Sequence, residues 1–531
     1  MFLSAILGIL HVVRWLSAGP LWRDEISSLT LATRPTWSAL WQTLVFDPFP
    51  AFFFILLRGW HASVGDSDLG LRLLGMLIGL AVVGSFWVTA RLTHRRAPLL
   101  TLLLLGFSPT LIVWGDTLRA YGVGVFWVVI SFGCFWQLVA NPNRLTFLCA
   151  TGAAIMSVQS AFSNGVLIFA LGLSACTLSL KRRDWRTAAM SLGAGAVAAI
   201  SLLPYLPTIL ATRRWSAVVQ ADSTVTSQLE TAFKAMRGEA SSSPYLWAAV
   251  LVAVLAVSFT RSRRSEAASP ETSPPVRGLV SYSMVAMLVG AVASLLFFLE
   301  SGWNSNVWYY LPVLALIAVS IDAASGASAF SRWATMSRTI GTVLILGWVG
   351  PAIWESLHTR ISNYDLVARL ISKQAQPADS IVIYPFADGV TFNRYFRGPL
   401  TWETIPPVAD HSLHNWDQVL GQIEAANPMD PIVNQIKRTF AAGGRIWLVA
   451  SLPMHSQKQA PSREKAQRSG ETTLLAANLI SWSNALAYNL EMRSTKIEHI
   501  RVPSAQPIGE YEDARVFLVT RREGETTLSQ R

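Results

Sequence analysis

Two adjacent carboxylates, Asp24 and Glu25, stand in the stretch Leu21-Trp22-Arg23-Asp24-Glu25-Ile26 directly behind a first long apolar run, Met1 to Pro20. Acids at a membrane boundary are costly unless they face water, a partner charge or a substrate. Three further charged elements follow. Phe46-Asp47-Pro48-Phe49-Pro50 opens a short apolar run that carries Arg58, Gly65-Asp-Ser-Asp-Leu-Gly-Leu-Arg72 leads into a long apolar run, and Trp114-Gly-Asp116-Thr-Leu-Arg119-Ala-Tyr121 separates two more. The acid pair reads as one half of a catalytic site at the outer face of a membrane, with the other half around Asp116.

These elements must be positioned by a membrane scaffold. The chain has 531 residues, of which 52% are hydrophobic and 14% charged, and its mean hydropathy is +0.38. The apolar residues come in blocks of roughly 17 to 25 through the first two-thirds, the length that crosses a hydrocarbon core as a helix. Met1 to Pro20 has no basic start and leads into further apolar runs, so it reads as a first membrane helix and not as a removable leader. The run Pro50 to Trp60 is too short to span and reads as interfacial. The remaining spans are expected near 69–90, 97–114, 119–140, 145–161, 163–180, 187–209, 244–260, 278–299, 307–322 and 339–355, about eleven helices in all.

A net charge of +11 in a soluble chain would suggest nucleic acid. Here the basic residues recur between apolar blocks: Arg91, Arg95 and Arg96; Arg144; Lys181, Arg182, Arg183 and Arg186; Arg261, Arg263, Arg264 and Arg277; Arg332 and Arg338. They set orientation in a bilayer, with the N-terminus inside, and no nucleic-acid partner is expected. That orientation puts Asp24, Asp47, Arg72, Asp116 and Arg119 on one outer face. Twenty-one Trp and 24 Phe fit interfacial belts and lipid-facing packing. The three Cys all lie in apolar runs, so neither a disulfide framework nor a Cys zinc site is available. His358, His411 and His414 show no ligand spacing, and no His-based metal is expected.

From about residue 358 the pattern changes. Ser380–Pro385, Arg445–Ala450 and Ala514–Thr520 read as strands, with helical stretches near 366–373, 417–424, 431–441 and 474–490. The alternation predicts a C-terminal α/β domain over 358–531, outside the membrane, behind a membrane domain over 1–357 whose first outer loop is 20–68.

At this point the sequence resembles a C-superfamily glycosyltransferase, the GT-C fold of the protein O-mannosyltransferases and the lipid A aminoarabinose transferases. That pattern has an acidic pair in the first outer loop, an Asp-x-x-Pro element opening a juxtamembrane helix, a Gly-x-Ser-Asp…Arg-Leu element before the second membrane helix, and an acid-x-x-Arg-x-Tyr element at the second outer loop. The match covers about residues 1–210. Leu203–Pro207 and Trp308–Pro312 match more loosely. Trp308-Tyr309 stands where the family usually has Arg-Tyr, and Gln159-Ser-Ala-Phe-Ser lacks a frequent His.

The resemblance implies an enzyme of the inner membrane with its C-terminal domain extracytoplasmic. It would move a sugar, with inversion, from a polyprenyl-phosphate donor in the bilayer to an extracytoplasmic acceptor. Asp24 would be the general base, and Glu25 would support it by holding a cation or capping the next helix. Asp116, three residues before Arg119, would share a helix face with it and orient it or contact the acceptor, as would Tyr121. Arg58, Arg72 and Arg119 are candidates for the donor phosphate, although Arg58 and Arg72 also fit snorkelling side chains. Asp47 is either a ligand or a turn former. A divalent ion bridging Asp24 and Asp116 is left open. Two other readings stay beside this one: a polytopic lipid or sugar transporter or flippase, and an inactive relative that binds polyprenyl phosphates. Spanning runs nearly free of charge favour the enzyme over the transporter.

Overall fold

In the computed structural model, the described residues are 1–238, 247, 274–302, 305–326, 346–347, 349–454 and 472–521. They divide into two compact units. One comprises 1–16, 49–207 and 223–358, and the other 17–48, 208–222 and 359–531. The second unit therefore gathers two stretches from the N-terminal two-thirds with the C-terminal segment, where the sequence suggested a single cut near residue 358.

The first unit is helical. Among the described residues, six helices are long and apolar enough to cross a membrane: Asp68–Thr93, Tyr121–Ala140, Asn164–Lys181, Trp185–Val219, Gly278–Ser301 and Val307–Gly326. That makes the chain an integral membrane protein. Phe2–Ser17 and Ala51–Val64 are shorter apolar helices, and Arg144–Ser160 has 17 residues. The span expected at 244–260 lies outside the described residues except for Trp247, and that at 339–355 is described only from residue 346 on, where 346–347 and 349–358 are helical.

The continuous span expected over 97–114 is broken. A helical turn at Leu99–Thr101 passes into a π-helical turn, Leu102–Gly106, and a new helix begins at Pro109–Gly115. Proline has no N–H for a continuing helix and pushes the residue before it out of the helical region. Ser108 accordingly sits at φ −75°, ψ 123°.

The chain then turns through Asp116–Ala120 before helix Tyr121–Ala140 starts. Close approach requires glycine here. A Cβ on Gly75 would lie 1.8 Å from the Asp116 carbonyl oxygen, and one on Gly122 would lie 2.2 Å from that of Gly115.

The second unit is built on a five-stranded mixed sheet in the order β3-β2-β4-β7-β5. Its strands are β2 (Ser380–Tyr384), β3 (Trp402–Thr404), β4 (Ile446–Ala450), β5 (Ser494–Ile500) and β7 (Arg515–Arg521). β2 runs parallel to β3 and β4, while β7 is antiparallel to β4 and β5. Alternate side chains go to opposite faces. Ile381, Ile383, Trp447 and Val449 pack with Tyr364, Val367 and Phe392, while Val382, Tyr384, Leu448 and Ala450 pack with Ile432, Ile436, Phe440 and Trp482. A separate parallel pair joins β1 (Arg360–Ser362) to β6 (Ile508–Glu512). Residues 208–222 attach through Trp215, stacked on Trp416 at 5.4 Å, and through Val218, buried beside Phe386 and Val419.

Candidate active site

Helix α1 (Arg23–Ala32) begins inside the acid stretch. Its first turn leaves backbone N–H groups without helical partners, and Glu25 supplies one acceptor: its Oε2 takes the Trp22 N–H at 3.2 Å. Glu25 is fully buried. It caps its own helix, and its carboxylate faces inward. Asp24 is placed differently. Its side chain is 20% exposed, with His414 Nδ1 4.0 Å from Oδ1. Two neighbouring acids thus occupy different environments, as the divergence of adjacent helical side chains requires.

The stretch is tied down by the C-terminal segment of its own unit. Tyr395 Oη accepts the Leu21 N–H at 2.7 Å, the Trp22 ring meets Tyr511 edge-on at 6.2 Å, and Arg23 Nη1 lies 2.8 Å from Asp388 Oδ1. Asp47, in the same unit, is buried behind the 3₁₀ turn Leu44–Phe46 and donates its N–H to the Leu44 carbonyl. That is turn geometry.

The remaining candidates belong to the first unit. Arg58 is half-buried on the helix Ala51–Val64, and Arg72 is buried in the first turns of Asp68–Thr93. Asp116 and Arg119 do not share a helix face, because residues 116–120 form a turn and not a helix. Asp116 instead meets His11: Nδ1 and Oδ2 are 2.7 Å apart, with side-chain exposures of 0% and 5%. Nothing in the spacing of the sequence pointed to His11. The pair fills the notch left by Gly79, where a Cβ would lie 2.1 Å from Asp116 Oδ1 and 2.6 Å from the His11 ring. Gly79→Ala should therefore part the two side chains and cost about 1–3 kcal/mol, seen as a lower Tm of the purified full chain. A Tm within a degree of wild type would mean that the notch is not needed.

Arg119 is also buried, with its guanidinium over the rings of Phe49 at 4.8 Å and Tyr121 at 5.7 Å. Tyr121 has Trp308 and Tyr309 around it at 6.1 and 6.0 Å, and Trp114 packs on Trp308 at 4.3 Å. The 3₁₀ turn Val307–Tyr310 that presents Trp308 is fixed through Gln228: Ser305 donates to its Oε1 at 2.6 Å and Tyr310 to its carbonyl at 3.0 Å. Gln159 accepts from Tyr205 Oη at 2.9 Å, and that oxygen accepts the Ala51 N–H at 3.2 Å, anchoring the start of the helix that bears Arg58. A buried cation held against ring faces is fixed in orientation and only weakly solvated.

No protein-family model and no curated protein matches the chain. Among solved structures, the chain is similar to ArnT from Cupriavidus metallidurans bound to undecaprenyl phosphate, at 15% identity and a TM-score of 0.46 over 84% of this chain and 92% of that one. It is also similar to AglB, the oligosaccharyltransferase of Archaeoglobus fulgidus, in complex with an inhibitory peptide and a dolichol-phosphate. There the identity is 14% and the TM-score 0.45, over 84% and 69% of the two chains. The arabinosyltransferase EmbB of Mycobacterium smegmatis matches at 15% identity and a TM-score of 0.38 over 61% and 30%.

A metal fits poorly. Among the described residues no three His, Cys, Asp or Glu side chains gather as ligands, and Asp116 already has His11 on one oxygen.

Proposed function

We propose that this protein is an integral-membrane glycosyltransferase that moves a sugar from a polyprenyl-phosphate donor to an extracytoplasmic acceptor, with inversion and with Asp24 as general base. One observation carries the assignment within the acid pair: Glu25 is fully buried as a helix cap while Asp24 keeps its carboxylate 20% exposed. That difference supports Asp24 over Glu25 as the group that meets an incoming hydroxyl or amine.

In the reaction, Asp24 takes the acceptor proton as the acceptor heteroatom bonds to the anomeric carbon. The bond from that carbon to the phosphate oxygen breaks, and the polyprenyl phosphate leaves with the electron pair. Negative charge grows on the departing oxygen, where a fixed guanidinium is most useful. Arg119 has that role. Arg72 and Arg58 are further phosphate candidates, and Tyr121 holds Arg119 through its ring face. Asp116 fixes the turn that carries Arg119. The donor stays in the bilayer, and the C-terminal domain over 358–531 is extracytoplasmic.

The test uses sealed vesicles containing the full chain, loaded with a radiolabelled polyprenyl-phosphate pentose or hexose and supplied with a cell-envelope extract. The label should leave the lipid and become covalently attached to extract components. Label that crosses the bilayer still attached to its lipid would establish transport and overturn the proposal.

A further inference from the structure

Three charged side chains around the acid stretch take no part in the chemistry proposed for it. Arg23, the first residue of helix α1, directs its Nη1 to Asp388 Oδ1 at 2.8 Å and to the Tyr511 carbonyl at 3.3 Å. Its backbone N–H donates to Glu512 Oε1 at 3.0 Å, and that oxygen also accepts from Thr391 Oγ1 at 3.0 Å. The second oxygen of Asp388 accepts from the Tyr364 hydroxyl at 2.8 Å. Both carboxyl groups are fully buried. Asp388 opens the helix that follows β2, and Glu512 ends β6, where it is in register with Ser362 of β1. Each acid therefore sits on a fixed end of regular structure.

The effect falls on the next residue. Arg23 is held through its side chain and through its main chain, and on the other side of Asp24 the Glu25 carboxylate closes the cap onto Trp22. The backbone that carries Asp24 is bracketed. Misplacing a reacting group by about 1 Å can cost on the order of 10²-fold in rate.

We propose that Arg23 is a positioning residue for Asp24, clamped by the Asp388 and Glu512 carboxyl groups, so that the C-terminal segment sets where the base points. The proposal rests on the reading of Asp24 as the base. It gives the C-terminal segment a part in the chemistry.

The clamp is linked to a proton. Two fully buried carboxyl groups face one guanidinium, whose Nη1 is also 3.9 Å from Glu512 Oε1, and a second buried anion without its own cation is costly. Burial, and after it the Asp388 charge, push Glu512 up to about 8 from an ordinary 4.5, against the opposing pull of Arg23. Burial raises Asp388 as well, with Arg23 and the Tyr364 hydroxyl acting the other way. The groups facing the pair are thus Arg23 and Tyr364, with Asp24 acting on Arg23 from the next position. An acid raised in the folded state binds its proton more tightly there than in the unfolded chain. The clamp is therefore at full strength below the ordinary value and weakens as pH rises through about 8.

Hydrogen exchange of the purified full chain in lipid nanodiscs between pH 6 and 9, corrected for the intrinsic pH dependence of exchange, tests this. In wild type, a peptide covering residues 21–28 should lose protection by about tenfold between pH 7 and pH 9, as expected for an acid passing its pKa. Glu512→Gln, neutral and near-isosteric, should remove that loss, and Arg23→Gln should lose protection throughout. With the labelled donor of the transfer assay, Arg23→Gln should lower kcat by about 10²-fold with KM within about threefold, and Arg23→Lys should recover most of the rate because it restores the charge.

The proposal is overturned if Glu512→Gln follows the wild-type pH response, or if Arg23→Gln keeps wild-type protection. If Arg23→Gln loses its fold, judged on strand Ile446–Ala450, the Glu512→Gln comparison decides alone. Failure of the Asp24 assignment is separate: Asp24→Ala would then transfer sugar at the wild-type rate whatever the exchange pattern.

Discussion

Replacing Arg119 by Met should lower kcat/KM for the polyprenyl-phosphate donor by about 10²–10³-fold, the usual cost of removing one fixed donor from a site of developing negative charge. The size of the effect follows from where the guanidinium lies. It is 6% exposed and held between the faces of Phe49 and Tyr121, so little water competes with it and its field on a phosphate is stronger than that of a surface arginine. Its orientation is already fixed before the donor arrives, which spares reorganisation during bond cleavage. Arg119→Lys should lose only about tenfold, because the charge survives while the fork and the ring stacking do not. Initial rates over a range of donor concentrations would separate these outcomes. An Arg119→Met rate within threefold of wild type would remove Arg119 from the phosphate and leave Arg72 and Arg58 as the remaining candidates.

How far the sequence could be read depended on whether the signal was local. The C-terminal strands were legible because short β-branched runs, Ser380–Tyr384 and Ile446–Ala450, stand behind turn residues and alternate between two buried faces. The break at Pro109 was not, because hydropathy averages over an unbroken apolar run and is blind to one missing N–H. The error carried forward. Treating 116–120 as helical placed Asp116 beside Arg119, whereas the turn there sends Asp116 to His11 and Arg119 to Phe49 and Tyr121.

The partners of the acid stretch were beyond any spacing rule. Asp388 is 365 residues from Arg23 and Glu512 is 489, and each reads locally as an ordinary acid at the end of an element. The same holds for His11 and Asp116, 105 residues apart. The different environments of Asp24 and Glu25 were partly legible, since adjacent side chains must diverge. Which of the two turns inward depended on the cap, and the cap depended on where the helix starts.

If Asp24 removes the acceptor proton as proposed, losing it should cost about 10²–10⁴-fold, as for any positioned general base. Asp24→Asn keeps size and hydrogen-bonding capacity while removing the basic oxygen pair, so it probes proton transfer with little change in packing. Asp24→Glu keeps the base but moves it by about one methylene, and should retain more activity than Asn while falling well short of wild type. Glu25→Gln preserves an acceptor for the Trp22 N–H and should cost far less than either Asp24 change, because the Glu25 carboxylate is buried as a cap. The most direct measurement is the initial rate at which membranes containing wild-type or Asp24→Asn protein transfer label from a radiolabelled polyprenyl-phosphate sugar, with protein amounts matched. A fall of at least about 10²-fold is the expected result; a variant rate within about tenfold of wild type would contradict the assignment of Asp24 as the base.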